Sequence, residues 1–236
     1  VQLLRVRGAL VPHAPLLLPE ITSSGDTLRD IWDGMSRVRL DQGSPVIVLT
    51  PHATAVGVYQ QASGSLASFG APDITAAFPT GTHTMSLDRL AGPLDHGGLV
   101  PLMLFDVKSE VTVIGLPETA NLTETAEVVG TVRDLAVQSG ASVLVSAHTS
   151  ACLTERAPLP YSFDAVRLES NFITDIERDC SIASDLADGL ATVGGSCSPS
   201  TLRAFGMLFA GTEGTVLAYG APFGVGYPVV TAEVDV

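Results

Sequence analysis

The sequence predicts a layered α/β/α sandwich around a mostly parallel or mixed central sheet. Two observations carry that expectation. Short β-type apolar runs recur along the chain with helical patterns between them, the alternation that places helices on both faces of a sheet. The composition of the 236 residues, 46% apolar and 16% charged, is that of a folded chain able to bury a substantial core.

The run Leu3 to Val11, in which Arg5 and Arg7 alternate with apolar residues, reads as a first strand; no long apolar region follows that would make it a signal peptide. From Thr27 to Leu40, Leu28, Ile31, Trp32, Met35 and Val38 form a helical stripe. Val46 to Leu49 is a second strand. Gln61 to Asp88, rich in Gly, Ser, Ala, Pro and Thr, reads as a long excursion from the sheet, of the kind that borders sites. Strands at Val111–Leu116 and Ser142–Ser146 bracket a helix over Thr123–Val137, for which Gly140 supplies a C-cap. Ser162 to Ala191 is one long helix or two, with the interruption at Cys180–Ser184. Ser198 to Phe209 opens on Ser-Pro-Ser, with Pro199 near the first helical position. Strands at Thr215–Tyr219 and Tyr227–Val234 close the chain, the last one open to an antiparallel placement. No composition shift marks a boundary, so residues 1–236 read as one domain.

A formal net charge of −13 argues against nucleic acid or an anionic membrane as partner, since phosphates are repelled. No stretch approaches the roughly 20 apolar residues of a membrane span. Cys152, Cys180 and Cys197 are odd in number and unrelated in spacing. They imply a reducing cytoplasm, incidental thiols, no disulfide framework and no thiolate zinc cluster.

The histidines hold the chemistry. His13 follows the first strand in Val11-Pro-His-Ala-Pro15, and His52 follows the second in Thr50-Pro-His-Ala53. The flanking prolines stiffen both loops. His148 stands just past the strand ending at Ser146. Ligands of open α/β sheets bind beyond the carboxyl ends of strands, and imidazole is the commonest side-chain metal ligand. His96 lies in Asp95-His-Gly-Gly-Leu-Val-Pro-Leu102, where a neighbouring carboxylate can orient a ring and paired glycines admit close backbone approach. His83, inside the excursion, reads as solvent-exposed.

The segments Val11–Glu20, Thr50–Ala53, Asp95–Leu102 and Pro222–Tyr227, in this order, resemble the class III extradiol ring-cleavage dioxygenases of the catalytic B-subunit type and the related Memo-like proteins. The resemblance implies that His13 and His52 bind Fe(II) and that His96, with Gly97 and Pro12, lines the pocket of a small aromatic diol. It also implies a homo-oligomer or a separate small subunit as protein partner. Two departures accompany it. Ala151 stands at the family's acid–base histidine, leaving His148 three residues early as a displaced base, and Gly220 stands at the family's ligand glutamate. His148, Asp95 or water are the substitutes for the third ligand; Glu213 and Glu233 are the nearest carboxylates in sequence. Three functions follow: an active dioxygenase with a rearranged site, a catalytically degenerate binding or interaction module, or metal-assisted hydrolysis by the retained histidines.

Overall fold

Strand runs that are apolar at every position, such as Val46-Ile47-Val48-Leu49, have two faces to bury, and here both are covered. The computed structural model describes residues 5–22, 25–41, 43–52, 54–81 and 86–236, with the side chain of His52 outside that description. The chain is a layered α/β sandwich. Its elements in order are β1 (Arg5–Val11), α1 (Gly25–Arg37), β2 (Val46–His52), β3 (Gly57–Tyr59), β4 (Ser63–Leu66), β5 (Ala71–Ala77), β6 (Arg89–Leu90) and α2 (His96–Leu104). There follow β7 (Val111–Pro117), α3 (Leu122–Ser139), β8 (Ser142–Ser146), α4 (Phe163–Asp175), α5 (Ile182–Thr192), α6 (Pro199–Leu208), β9 (Gly214–Gly220) and β10 (Tyr227–Asp235).

Eight strands make the main sheet, in the order β6-β3-β7-β2-β8-β1-β10-β9. Its centre, β7-β2-β8-β1, is parallel, so these four carboxyl ends share one edge. The flanks are antiparallel: β10 pairs with β1 and β9 with β10 on one side, β3 with β7 on the other. Alternate residues of each central strand enter opposite cores. Leu10, Ile47, Leu49, Val143 and Val145 face the core built with α3 to α6. Ala9, Val11, Val46, Val48 and Leu144 face the one built with α1 and α2.

The long region from Ser162 resolves into two helices, α4 and α5, and β10 takes the antiparallel placement. The first helix stops at Arg37, short of the expected Leu40. The excursion holds structure of its own: β4 and β5 pair as a separate hairpin. His83 lies outside the described residues. One helix, α2, has no counterpart in the sequence-based elements. Asp95 caps it by accepting the Gly98 N–H at 3.1 Å, and every residue from Gly97 to Leu102 is buried. No helix among the described residues is long and apolar enough to cross a membrane.

Candidate functional site

Strand register brings two of the histidines together. Val11 of β1 lies level with Ser146 of β8, and each strand continues two residues to a histidine. His13 and His148 therefore stack, with ring centroids 3.9 Å apart and planes 19° from parallel. The His13 backbone N–H donates to His148 Nε2 at 3.2 Å. That commits the Nε2 lone pair and assigns the neutral ring's proton to Nδ1, whose neighbour is Cys197 Sγ at 3.9 Å. The tetrapeptide 147–150 is not helical, so no turn carries His148 to the place of Ala151. Ala151 is itself buried, its N–H given to the Gly195 carbonyl.

His96 arrives from above the sheet. The Ser146 hydroxyl donates to the Gly97 carbonyl at 2.7 Å, which draws the N-terminus of α2 over the end of β8. The His96 ring then sits 5.3 Å from that of His13, tilted by 54°. The loop bearing His13 is fixed from the other side, where the Trp32 indole N–H donates to the Leu17 carbonyl at 2.7 Å. Aromatic rings complete the surroundings: Tyr227 lies 5.0 Å from His148, and Phe69 meets His96 edge-on at 4.8 Å.

Burial keeps these imidazoles uncharged. It pushes His13 well below the ordinary histidine range, helped by the nearby His148 and His96. It pushes His148 down to about 3, and lowers His96 against the opposing field of Asp95. A neutral imidazole is the form that coordinates metals.

The fold also places the other candidate residues. Asp95 serves α2 as its cap and accepts the Tyr59 hydroxyl at 3.4 Å, so its carboxylate is committed to main chain and phenol. Gly97 permits a close approach of helix to strand: a Cβ there would press on Thr50 Oγ1 and lie 3.3 Å from Pro51 Cδ. Pro12 is buried. Glu213 and Glu233 stand at the opposite edge of the sheet, where Glu233 pairs with Arg5 and Arg7.

The metal implied by the resemblance can be tested against this geometry. Among the described residues nothing hydrogen-bonds the buried Nδ1 of His13, a donor atom suited to an ion. His148 does not fit as its co-ligand. A metal lies in the plane of each ring that binds it, about 2.0–2.1 Å from nitrogen. Two planes 19° apart with centroids 3.9 Å apart converge far beyond that reach. The tilted His96 has a separation compatible with sharing an ion. The backbone of His52 is placed by register: Leu49 lies level with Val145, so His52 ends one strand from His148 and two from His13, roughly 10 Å across. Among the described residues no group of three or more His, Cys, Asp or Glu stands ready for a metal, and the His52 side chain falls outside that set.

A likeness to a solved fold accompanies this site. The chain is similar to the crystal structure of an uncharacterized protein from Escherichia coli, with 12% identity, a TM-score of 0.59, and coverage of 97% of this chain and 99% of that one. At that identity the likeness shows the fold, the same layered α/β sandwich. No protein-family model and no curated protein matches the chain.

One buried carboxylate behind the histidines is not among the sequence-based candidates. Glu169, on α4, is 3% exposed and accepts the Ser150 N–H at 2.7 Å and the Tyr219 hydroxyl at 2.9 Å. It ties the segment carrying His148 to the end of β9. The signal was available: Ala165, Glu169, Phe172 and Ile176 form one buried helical stripe, and a carboxylate on such a stripe needs partners. Burial raises its pKa, against the hydrogen bonds it accepts from the Tyr219 hydroxyl and the Ser150 N–H, which lower it. We expect Glu169→Leu to cost about 3 kcal/mol, because two donors lose their acceptor. A raised carboxyl pKa favours the fold below the unfolded value of about 4.3, and that contribution is lost as pH rises through the folded value. The stability of Glu169→Gln relative to the native chain should therefore increase with pH above about 4.3 in thermal melts. A pH-independent difference would contradict it.

Proposed function

We propose that the histidines at the carboxyl edge of the sheet form a small-molecule site of the class III extradiol dioxygenase type, taking a divalent metal and a small aromatic diol. The observation that carries this reading is His13: a buried, neutral imidazole with a ring nitrogen that no described residue engages, packed between two further histidines. His13 would hold Fe(II) together with His52 or His96. A bound Fe(II) supplies open coordination positions at which a catechol and dioxygen can be brought together. Around it, His148 presents the main chain of His13 with an acceptor and so orients the ligand loop; it acts as a positioning residue. His96 and Phe69 form the wall a flat substrate would meet, and Tyr227 backs His148. With Ala151 in place of an acid–base imidazole, turnover lacks a contribution worth roughly 10²–10⁴-fold.

The test is oxygen uptake by anaerobically iron-loaded protein on addition of catechol. The expected result is slow, catechol-dependent uptake that falls at least tenfold further in His96→Ala. Stoichiometric metal without any uptake would instead favour the second reading, a catalytically degenerate binding module. That reading has its own support in the buried Ala151, in Gly220, and in Phe163, the first residue of α4, and Tyr161 just before it, which are 71% and 51% exposed. A second copy of the chain or a separate small subunit would be the partner for such a surface.

A further inference from the structure

The hairpin β4–β5 leaves the sheet and returns with its tip at the histidines. A short 3-10 turn, Ala67–Phe69, joins its strands, closed by Gly70 at φ 78°. The β4 strand is fastened along its length. Leu66 is fully buried, the Leu94 N–H donates to the Ser63 carbonyl at 2.7 Å, and Gly64 lies so close to Leu94 that a Cβ would stand 2.6 Å from its carbonyl oxygen. Leu94 immediately precedes the cap Asp95 and then His96, so the hairpin and the start of α2 are one rigid corner.

Phe69 differs from these anchors. It is 47% exposed, although it belongs to the best-buried class of side chains, and its contact is the ring of His96. Leu66 already supplies the apolar anchor, so the fold has no evident need of a phenyl group at the tip. The edge-on arrangement at 62° lets the two rings bound one corner without covering each other. A flat aromatic molecule entering beside His96 would gain an offset or edge-to-face partner there.

We infer that Phe69 is the specificity-determining wall of this site, selecting planar aromatic ligands over saturated ones of the same hydroxyl pattern. The inference rests on the small-molecule reading above and deepens it. The phenyl group offers dispersion to either kind of ring, but only an aromatic one can answer its quadrupole. It takes no part in metal binding.

Two probes separate the possibilities: catechol and cyclohexane-1,2-diol, titrated anaerobically into the purified chain and followed by ligand-observed NMR. The native chain should bind catechol more tightly. Phe69→Ala should weaken catechol about tenfold, weaken cyclohexane-1,2-diol by much less, and keep the native melting temperature within 2–3 °C, about the scale of an exposed-site change. Phe69→Trp should restore the preference for catechol. Equal binding of catechol by native chain and Phe69→Ala overturns the role of Phe69 and leaves the site reading intact. A native chain that binds neither probe overturns both.

Discussion

Replacing Gly220 by glutamate is expected to tighten metal binding by more than about tenfold. In the β9–β10 pair, Gly220 lies directly opposite Tyr227, and residues opposite one another in an antiparallel pair point to the same face. The Tyr227 ring reaches His148 at 5.0 Å, so a side chain at 220 would start on the histidine side of the sheet. There is room for it. Among the described residues the nearest atoms to a Cβ at 220 would be Ile31 Cδ1 at 3.4 Å, Pro222 Cδ at 3.8 Å and Ile31 Cγ1 at 3.9 Å, ordinary contacts, and Gly220 is not among the glycines with positive φ. A third, anionic donor beside two imidazoles completes a facial set. Groups that merely orient a ligand are worth about 10–100-fold in affinity, so a ligand in its own right should reach that scale. Cobalt(II) titration followed by visible absorbance measures the change. Equal affinity in native chain and Gly220→Glu would show that this position no longer addresses the site.

The largest loss of stability from a single added methyl should come at Gly226. A Cβ there would collide with Thr149 Oγ1 and lie 3.1 Å from both Glu169 Oε1 and Tyr219 Oη. The backbone has little freedom to retreat. Gly226 donates its N–H to the Ser150 carbonyl at 2.8 Å and accepts the Thr149 N–H at 3.1 Å. Gly226→Ala should cost about 3 kcal/mol as overpacking, a fall of roughly 6–12 °C in Tm for a chain of this size. Gly130 is the control, in the middle of α3 with nothing within 4 Å of its would-be Cβ. Gly130→Ala should stabilise by about 0.5–1 kcal/mol. Similar melting temperatures for the two variants would contradict the packing described around Glu169.

Much of this architecture was legible in residues. Apolar runs such as Val46–Leu49 specify strands buried on both faces, and histidines placed just past two of them foretell a cluster at one edge. That His13 and His148 would stack was not legible, because it depends on which strands are neighbours and in what register. Helix α2 stayed hidden for a physical reason. Gly97, Gly98 and Pro101 are poor helix formers, and because residues 97–102 are all buried, no polar face exists to create a 3.6-residue period. Cys197, read from spacing as incidental, stands 3.9 Å from His148 Nδ1 through the fold of the segment between α5 and α6. The composition of Gln61–Asp88 suggested an excursion bordering a site, but singled out no residue within it, Phe69 included.

The central claim is that His13 belongs to a metal site, and metal content tests it most directly. Native chain and the His13→Ala plus His52→Ala double variant would be purified anaerobically with Fe(II) supplied, and their metal measured by elemental analysis alongside thermal melts. The account predicts near-stoichiometric metal in the native chain and its loss in the variant. A native chain that is folded but metal-free, with a melting temperature the substitutions leave unchanged, would contradict it.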